Sequence, residues 1–579
     1  MLDSFAHGSI SRNNVTDTAS THDVVNQTPP FTDVNLAALD QPLLDALKSA
    51  GVDAIGNGLL SFGENCGTAE RLGLGRLANE NPPRLRTHDA QGRRADIVEF
   101  HPAYHALMEA GVEAGLHAST WEAGGNGRAQ PPVNGSSHTG SLAGSLAGSH
   151  VARAARLFIT AEVESGHVCP LTMTHASLAA IAASPERLRD WLPMVRSRHY
   201  DPRFVPFWEK RGVTVGMGMT EKQGGTDVRA NTTRAEPASG DEYEITGHKW
   251  FMSAPMCDAF LVLAQAPGGL TCFLMPRFRP DGNVNALHLQ RLKDKLGNRS
   301  NASSEVEFHK AFAWRIGEEG KGVRTIIEMV QLTRLDCVVA SAGLMRMGLA
   351  LAVHHARHRS VMQRKLVDQP VMAAVLADLA LESEAATALA LRLAASFDLA
   401  ADNAREAARA RILTPAAKFL VCKAAPAFLY EAMECLGGNG YVEESPMPRL
   451  YREAPVNAIW EGSGNVMALD VLRAAERDPE AMASVLVTLG EDVADLPGAR
   501  EALAGVETML AGSERERNAR RIAETLALVA AAAALARSAP AAVAEAFART
   551  RLAAPRCGFG ANELAGVGGV LLGRALPLL

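Results

Sequence analysis

The stretch "EYEITGHKWFMSA", Glu242–Ala254, decides the architecture of this chain, because its apolar and polar residues alternate instead of recurring every three or four. That period places successive side chains on opposite faces of a half-buried strand. "SSEVEFHKAFAW", Ser303–Trp314, alternates in the same way, and "AFLVLAQ" and "TCFLMP" flank "APGG", a hairpin signal. Helical periodicity surrounds this β region on both sides. Before it stand "HPAYHALMEAGVEAGLHA" and "HVARAARLFITAEVESG". After Gly322 the apolar residues Ile326, Met329, Val330, Cys337 and Ala340 restore helical spacing, which continues to about Arg473. The order is helices, sheet, helices and more helices, a discontinuous helical body around a β insert. This predicts an α+β fold, not alternating βαβ units.

The expected boundaries follow from these changes of period. Residues 1–40, rich in Ser, Thr, Asn, Asp and Pro, read as a disordered tail. An N-terminal helical domain spans 41–213, interrupted by a flexible Gly/Ser insert at 124–150. A β domain spans 214–317, a C-terminal helical domain 318–475, and an additional helical domain 476–579, with "ERDPE" as its linker.

With 579 residues the chain is too long for one core of ordinary size. Its formal net charge of −6 does not favour nucleic acid or acidic membranes as whole-molecule partners. Eight scattered cysteines without a C-x-x-C pair fit a reduced cytoplasmic protein better than a disulfide framework or zinc site. The polar first thirty residues predict no secretory signal. The apolar run Leu526–Ala536 is shorter than the ~20 residues a membrane span needs.

"GLGRLA", Gly73–Ala78, matches a dinucleotide fingerprint, but "TAERL" before it is no strand, and the glycines read as a helix-end pair. "HHARH" puts His354 and His358 on one helix face with no third ligand in view, so no metal site is expected. In "GMGMTEKQGGTDV", Gly216–Val228, a strand-like run breaks into paired glycines flanked by Thr220 and Thr226. Those residues suit backbone approach to an oxyanion or ring acceptor, or an ordinary hairpin loop. "NAIWEGSGNVMALDVLR", Asn457–Arg473, sets Glu461 between an indole and a glycine-rich turn. A carboxylate beside apolar surface loses hydration and becomes a stronger base. The alternative is an acid favoured at a helix N-terminus, with Ser463, Gly464 and Asn465 as the cap. The residues alone allow both.

Together with "NPPRLRTHDAQGRR", "RLKDKLGNRSNASSEVEF", "TPAAKF", "LGGNGYVEES" and "RLYREAPVN", these stretches resemble the acyl-CoA dehydrogenase family of flavoproteins, specifically its alkylation-response branch, from about Gly67 to Arg473. The resemblance implies FAD held between the domains, homotetramers and possible acyl-CoA binding. It places Met217, Gly218, Met219, Thr220, Glu221, Gly225 and Thr226 on the flavin-contacting loop, with Phe251, Met252 and Ser253 beside the isoalloxazine. It assigns Ile459, Trp460, Gly462, Ser463, Gly464, Asn465 and Leu469 to the segment closing over FAD. Glu461 falls on the family's catalytic base, which removes the α-proton of an acyl thioester while the β-hydrogen leaves as hydride.

Two features depart from the family. Its R-x-x-F-G stands here as Arg359–Gln363, "RSVMQ", and the aromatic residue over the flavin is Phe251 instead of Trp. The branch also implies double-stranded DNA as a partner of a basic C-terminal domain. Residues 481–579, however, carry ten arginines against ten acids and no lysine. Only "SERERNARR" gathers arginines, leaving Arg515, Arg517, Arg520 and Arg521 as the DNA-binding candidates.

Overall fold

The computed structural model describes residues 21–122, 149–555, 557–564 and 566–577. Helices α1 (Gln41–Ser49), α2 (Leu59–Cys66) and α3 (Ala69–Glu80) come first. A hairpin of β1 (Arg84–His88) and β2 (Arg94–Glu99) precedes α4 (Pro102–Glu113), α5 (His150–Val163), α6 (Val168–Ile181) and α7 (Pro185–Val195). That hairpin departs from the all-helical reading of 41–213. It turns on Asp89, whose carboxylate accepts from the Gln91 and Arg93 amides, and on Gly92 at φ 77°. It leans on the β domain through Arg94, which donates to Leu289 O at 2.7 Å.

The β domain contains β3 (Val215–Gly218), β4 (Arg234–Ser239), β5 (Glu242–Ser253), β6 (Ala259–Ala266), β7 (Gly269–Pro276), β8 (Leu287–Leu292) and β9 (Ser303–Ile316). Strands β6, β7, β9, β5 and β4 pair in a closed ring, with β3 on β6 and β8 on β9. The "APGG" hairpin forms with Ala266 opposite Gly269. Between β4 and β6 the ring closes through a single pair, Arg234 opposite Gln265.

The second helical part holds α8 (Gly322–His358), a small hairpin of β10 (Ser360–Val361) and β11 (Arg364–Lys365), α9 (Pro370–Leu399) and α10 (Ala404–Cys435). Next come α11 (Gly438–Tyr441), α12 (Met447–Asn457) and α13 (Gly464–Arg477). The chain ends with α14 (Pro479–Asp492), α15 (Ala499–Ala511), α16 (Ala519–Ser538), α17 (Ala541–Ala548) and α18 (Gly568–Ala575). Helices α8 and α10 are each long and apolar enough to cross a bilayer, unlike the short run considered from sequence, but those windows are buried within the protein.

Packing corrects several expectations. Leu36, Ala37 and Leu39 are buried in the helical core, so the tail reading fails for the end of 1–40. Residues 1–20 lie outside the described residues. Polar composition misled because anchoring there takes few groups: Asn26 bonds both N and O of Ser360, and Thr28 pairs with His355. His354 likewise donates to Pro29 O, and no metal-ligating group of three occurs among the described residues. "GLGRLA" lies inside α3, not at its end, and Gly75 there packs closely on Val163 O. Of the 124–150 insert only Ser149 and His150 are described, and both are buried.

No linker separates the last helices. Asp478 ends α13 and caps α14 by accepting from the Ala481 amide. Residues of α14–α18 share one core with α8–α10. Arg551 is buried against Asp378 (2.5 Å) and Glu382 (3.2 Å) of α9, and Arg574 binds Glu384 and Asp45.

Candidate active site

Glu461 belongs to no helix. It sits in the turn between α12 and α13 at φ 57°, and Gly462 follows at φ 102°. A left-handed glutamate costs about 1–2 kcal/mol, so the surrounding bonds must hold it there. They come from two helices. Lys418 of α10 donates to Trp460 O and Gly462 O, both at 2.9 Å, and Arg334 of α8 donates to Glu461 O at 3.1 Å. Arg334 is itself fixed by Asp470, which also binds Arg411.

The Glu461 side chain is half-buried, and the Thr333 hydroxyl donates to its Oε2 at 2.7 Å. No protein donor reaches Oε1 among the described residues. Burial pushes the Glu461 carboxyl above the usual range, opposed by Thr333, Lys418 and Arg334. Glu461 lies three positions before Gly464, the first residue of α13, and so outside the helix. Ser463 does stand at the start of α13, but its hydroxyl makes no capping bond. The Trp460 indole donates to Asn457 Oδ1 at 3.0 Å, and its ring packs against the β-domain core.

On the β side, Met217 and Met219 pack half-buried on that core, with Gly218 buried between them. Thr220 O accepts from Trp250 N at 2.8 Å, tying the loop to β5. Gly225 permits the turn, since a Cβ there would collide with the Thr220 hydroxyl. Thr226 is exposed.

Two expected contacts need correction. The Glu221 side chain is fully buried: Lys249 pairs with it at 2.8 Å, and Thr232, Thr233 and Gln223 donate to it. Burial alone would raise its carboxyl, but Lys249 and these donors hold it at about 2. Met252 is also fully buried, because alternation along β5 turns it into the sheet core. The same alternation leaves Phe251 48% exposed, with Ser253 half-buried one position beyond Met252.

The parts meet at Cys169, at the start of α6. Burial pushes its thiol up to about 12, while Lys295 and Glu461 act on it by charge and Ser253 and Asn301 by hydrogen bonding. The Glu461 turn, the β5 strand end and the 295–303 loop therefore all come near the start of α6. The third segment expected to grip the cofactor is more dispersed: Ile459, Ser463 and Asn465 are exposed, Gly464 is half-buried, and Leu469 packs on the helical core. Thr333, Arg334, Lys418, Lys295 and Ser303 were not singled out from the sequence. Their only signal is position within "TPAAKF" and "RLKDKLGNRSNASSEVEF" or beside the α8 apolar stripe.

The arginine candidates do not join these segments as a group. Arg515 pairs with Glu476 and Arg517 with Glu514, Arg520 lies over Phe419, and Arg521 is exposed. The "RSVMQ" departure forms the tip of the β10–β11 hairpin, with Met362 and Gln363 both in the left-handed region and Met362 89% exposed.

A half-buried carboxylate on the turn before α13 and a β5 strand end with an exposed ring and a hydroxyl are the features the family resemblance calls for. The chain belongs to the acyl-CoA dehydrogenase family. Family models match for the "Adaptive response protein AidB N-terminal domain" over 26–202, the acyl-CoA dehydrogenase middle domain over 216–311 and its C-terminal domain over 320–476. Among individual relatives, AidB of Escherichia coli strain K12 is 50% identical over 454 residues, covering 78% of this chain and 80% of that one. Caenorhabditis elegans ACDH-11, solved in complex with C11-CoA, superposes with a TM-score of 0.82 at 25% identity, covering 95% of this chain and 96% of that one. An acyl-CoA dehydrogenase of Bacillus anthracis complexed with FAD shares the fold at a TM-score of 0.60 and 17% identity, over 82% and 80% of the two chains.

The residues present suit a flavin. Phe251 is a large ring left half-exposed near the end of β5, Ser253 and Thr220 supply hydroxyls, and Gly224 and Gly225 open the loop backbone. Thr333→Val should raise the Glu461 carboxyl further, because it deletes the donor to Oε2. A base works only when ionised, so activity is lost as pH falls through its pKa. In the variant the acid limb of a pH–rate profile should therefore move to higher pH, with flavin content unchanged.

Proposed function

We propose that this protein is an FAD-dependent oxidoreductase acting on the α,β-carbons of an acyl-CoA thioester. One observation carries the reading: Glu461 is locked in a strained turn by two helices, with a raised carboxyl and Oε1 left open. Phe251 and Ser253 would hold the flavin ring, with Thr220 and Thr226 supporting it from the loop. FAD held there would supply the two-electron acceptor for the hydride from the β-carbon. Glu461 takes the proton from the α-carbon, and its fixed backbone keeps the carboxylate aligned with that bond. The turn is backed by α8 and α10, and burial there keeps the carboxyl raised. C11-CoA in ACDH-11 supports an acyl-CoA as the ligand class. An assembly of four copies is part of this reading.

The test is an anaerobic panel of acyl-CoA chain lengths added to FAD-loaded protein, followed by flavin absorbance. At least one chain length should bleach the flavin, and a panel without bleaching would refute the activity. A second reading, association with double-stranded DNA in an alkylation response, is favoured by the identity to AidB and by the exposed Arg520 and Arg521. It predicts an electrophoretic duplex shift that weakens with salt. Absence of a shift at low ionic strength would remove it.

A further inference from the structure

Lys295, on the loop between β8 and β9, is a buried-side cation with no acid in ion-pair range among the described residues. Its ammonium donates to Asn301 O at 2.6 Å and to Ser303 Oγ at 3.0 Å. Ser303 Oγ lies 3.3 Å from Ser253 Oγ. The acids whose charges reach Lys295, Glu453 and Glu164, are occupied elsewhere. Asn298 donates to Glu453, while Asn79, Ser300 and His167 donate to Glu164. Burial lowers the Lys295 ammonium to about 8, so it is still largely protonated at neutral pH.

An ammonium carries donors only, so Ser303 must accept from Lys295. Ser253 is then the one side-chain acceptor bonded to the Ser303 hydroxyl among the described residues. Having accepted there, Ser253 turns its own proton away from Ser303. Two directions remain: the neutral Cys169 thiol, a weak acceptor, and the space beside Phe251. We propose that Lys295 is a positioning residue that fixes the direction of the Lys295–Ser303–Ser253 chain, so that Ser253 presents a hydrogen-bond donor to the flavin and raises its affinity for electrons. The inference rests on the FAD reading above and adds to it a device that sets the cofactor's redox balance.

The experiment measures FAD binding by fluorescence and the flavin midpoint potential against a reference dye, for wild type, Lys295→Met, Lys295→Arg and Ser303→Ala. Lys295→Met and Ser303→Ala should each make flavin reduction about tenfold less favourable, a fall of about 30 mV for two electrons. Lys295→Arg, which keeps a fixed donor, should stay closer to wild type. Ser303→Ala breaks the chain without removing the charge, so an unchanged potential in that folded variant would overturn the proposal even if Lys295→Met failed to fold. A wild-type protein that takes up no flavin would overturn this inference together with the FAD reading, whereas flavin uptake with unshifted potentials would overturn this inference alone.

Discussion

Glu461→Gln should leave the protein as yellow as the wild type while slowing its bleaching by acyl-CoA by about 10²- to 10⁴-fold, the usual contribution of a general base. The substitution preserves shape, and an amide oxygen can still accept from Thr333, so the turn held by Lys418 and Arg334 has no cause to move. What disappears is the ability to take a proton. Rapid mixing with the acyl-CoA that bleaches the wild type, with flavin content measured alongside, provides the check. Equal bleaching rates would mean that another group takes the proton, and the strained turn would then need a different explanation.

The second large effect concerns stability. Arg551→Ala should cost about 3–5 kcal/mol, because it leaves the fully buried Asp378 carboxylate of α9 without the cation paired to it. Among the described residues Asp378 would retain the Gly560 amide and the Asn562 side chain, and Glu382 would lose one of its contacts. Denaturant unfolding of wild type and variant gives the difference. The same experiment asks whether the last hundred residues fold with the rest. A loss below about 1 kcal/mol, or a separate early transition, would mean that α14–α18 come away as an independent unit.

The alternation in Glu242–Ala254 and Ser303–Trp314 was enough to locate the barrel, because a period of two survives whatever the strands pair with. The helical bodies were legible for the same reason. The Arg84–Glu99 hairpin was not, since its strands are rich in arginine and half-exposed and carry no apolar alternation. The linker reading of "ERDPE" fails because its composition resembles a linker, whereas Asp478 is a helix cap, although the C-terminal-domain match does end at 476. At the site, Glu461 was visible through its neighbours in sequence. Thr333 bonds its carboxylate from 128 residues away and Lys418 bonds the flanking carbonyls from 42 and 44, and sequence spacing carries no trace of such bonds. Glu221 was misassigned for a related reason. It stands in the right loop, but the buried Lys249 that claims it lies on another strand.

Asp398, at the far end of α9, accepts from the backbone amides of His150 and Val151 at 2.7 and 3.1 Å, while Ser149 caps the same turn. On the other side of residues 123–148, Trp121 donates to His175 O and Glu122 pairs with Arg198. Both shores of that stretch are thus moored to the folded body independently of what spans them. Because both anchors are closed by side chains outside residues 123–148, a change of length there should leave the first turn of α5 in place.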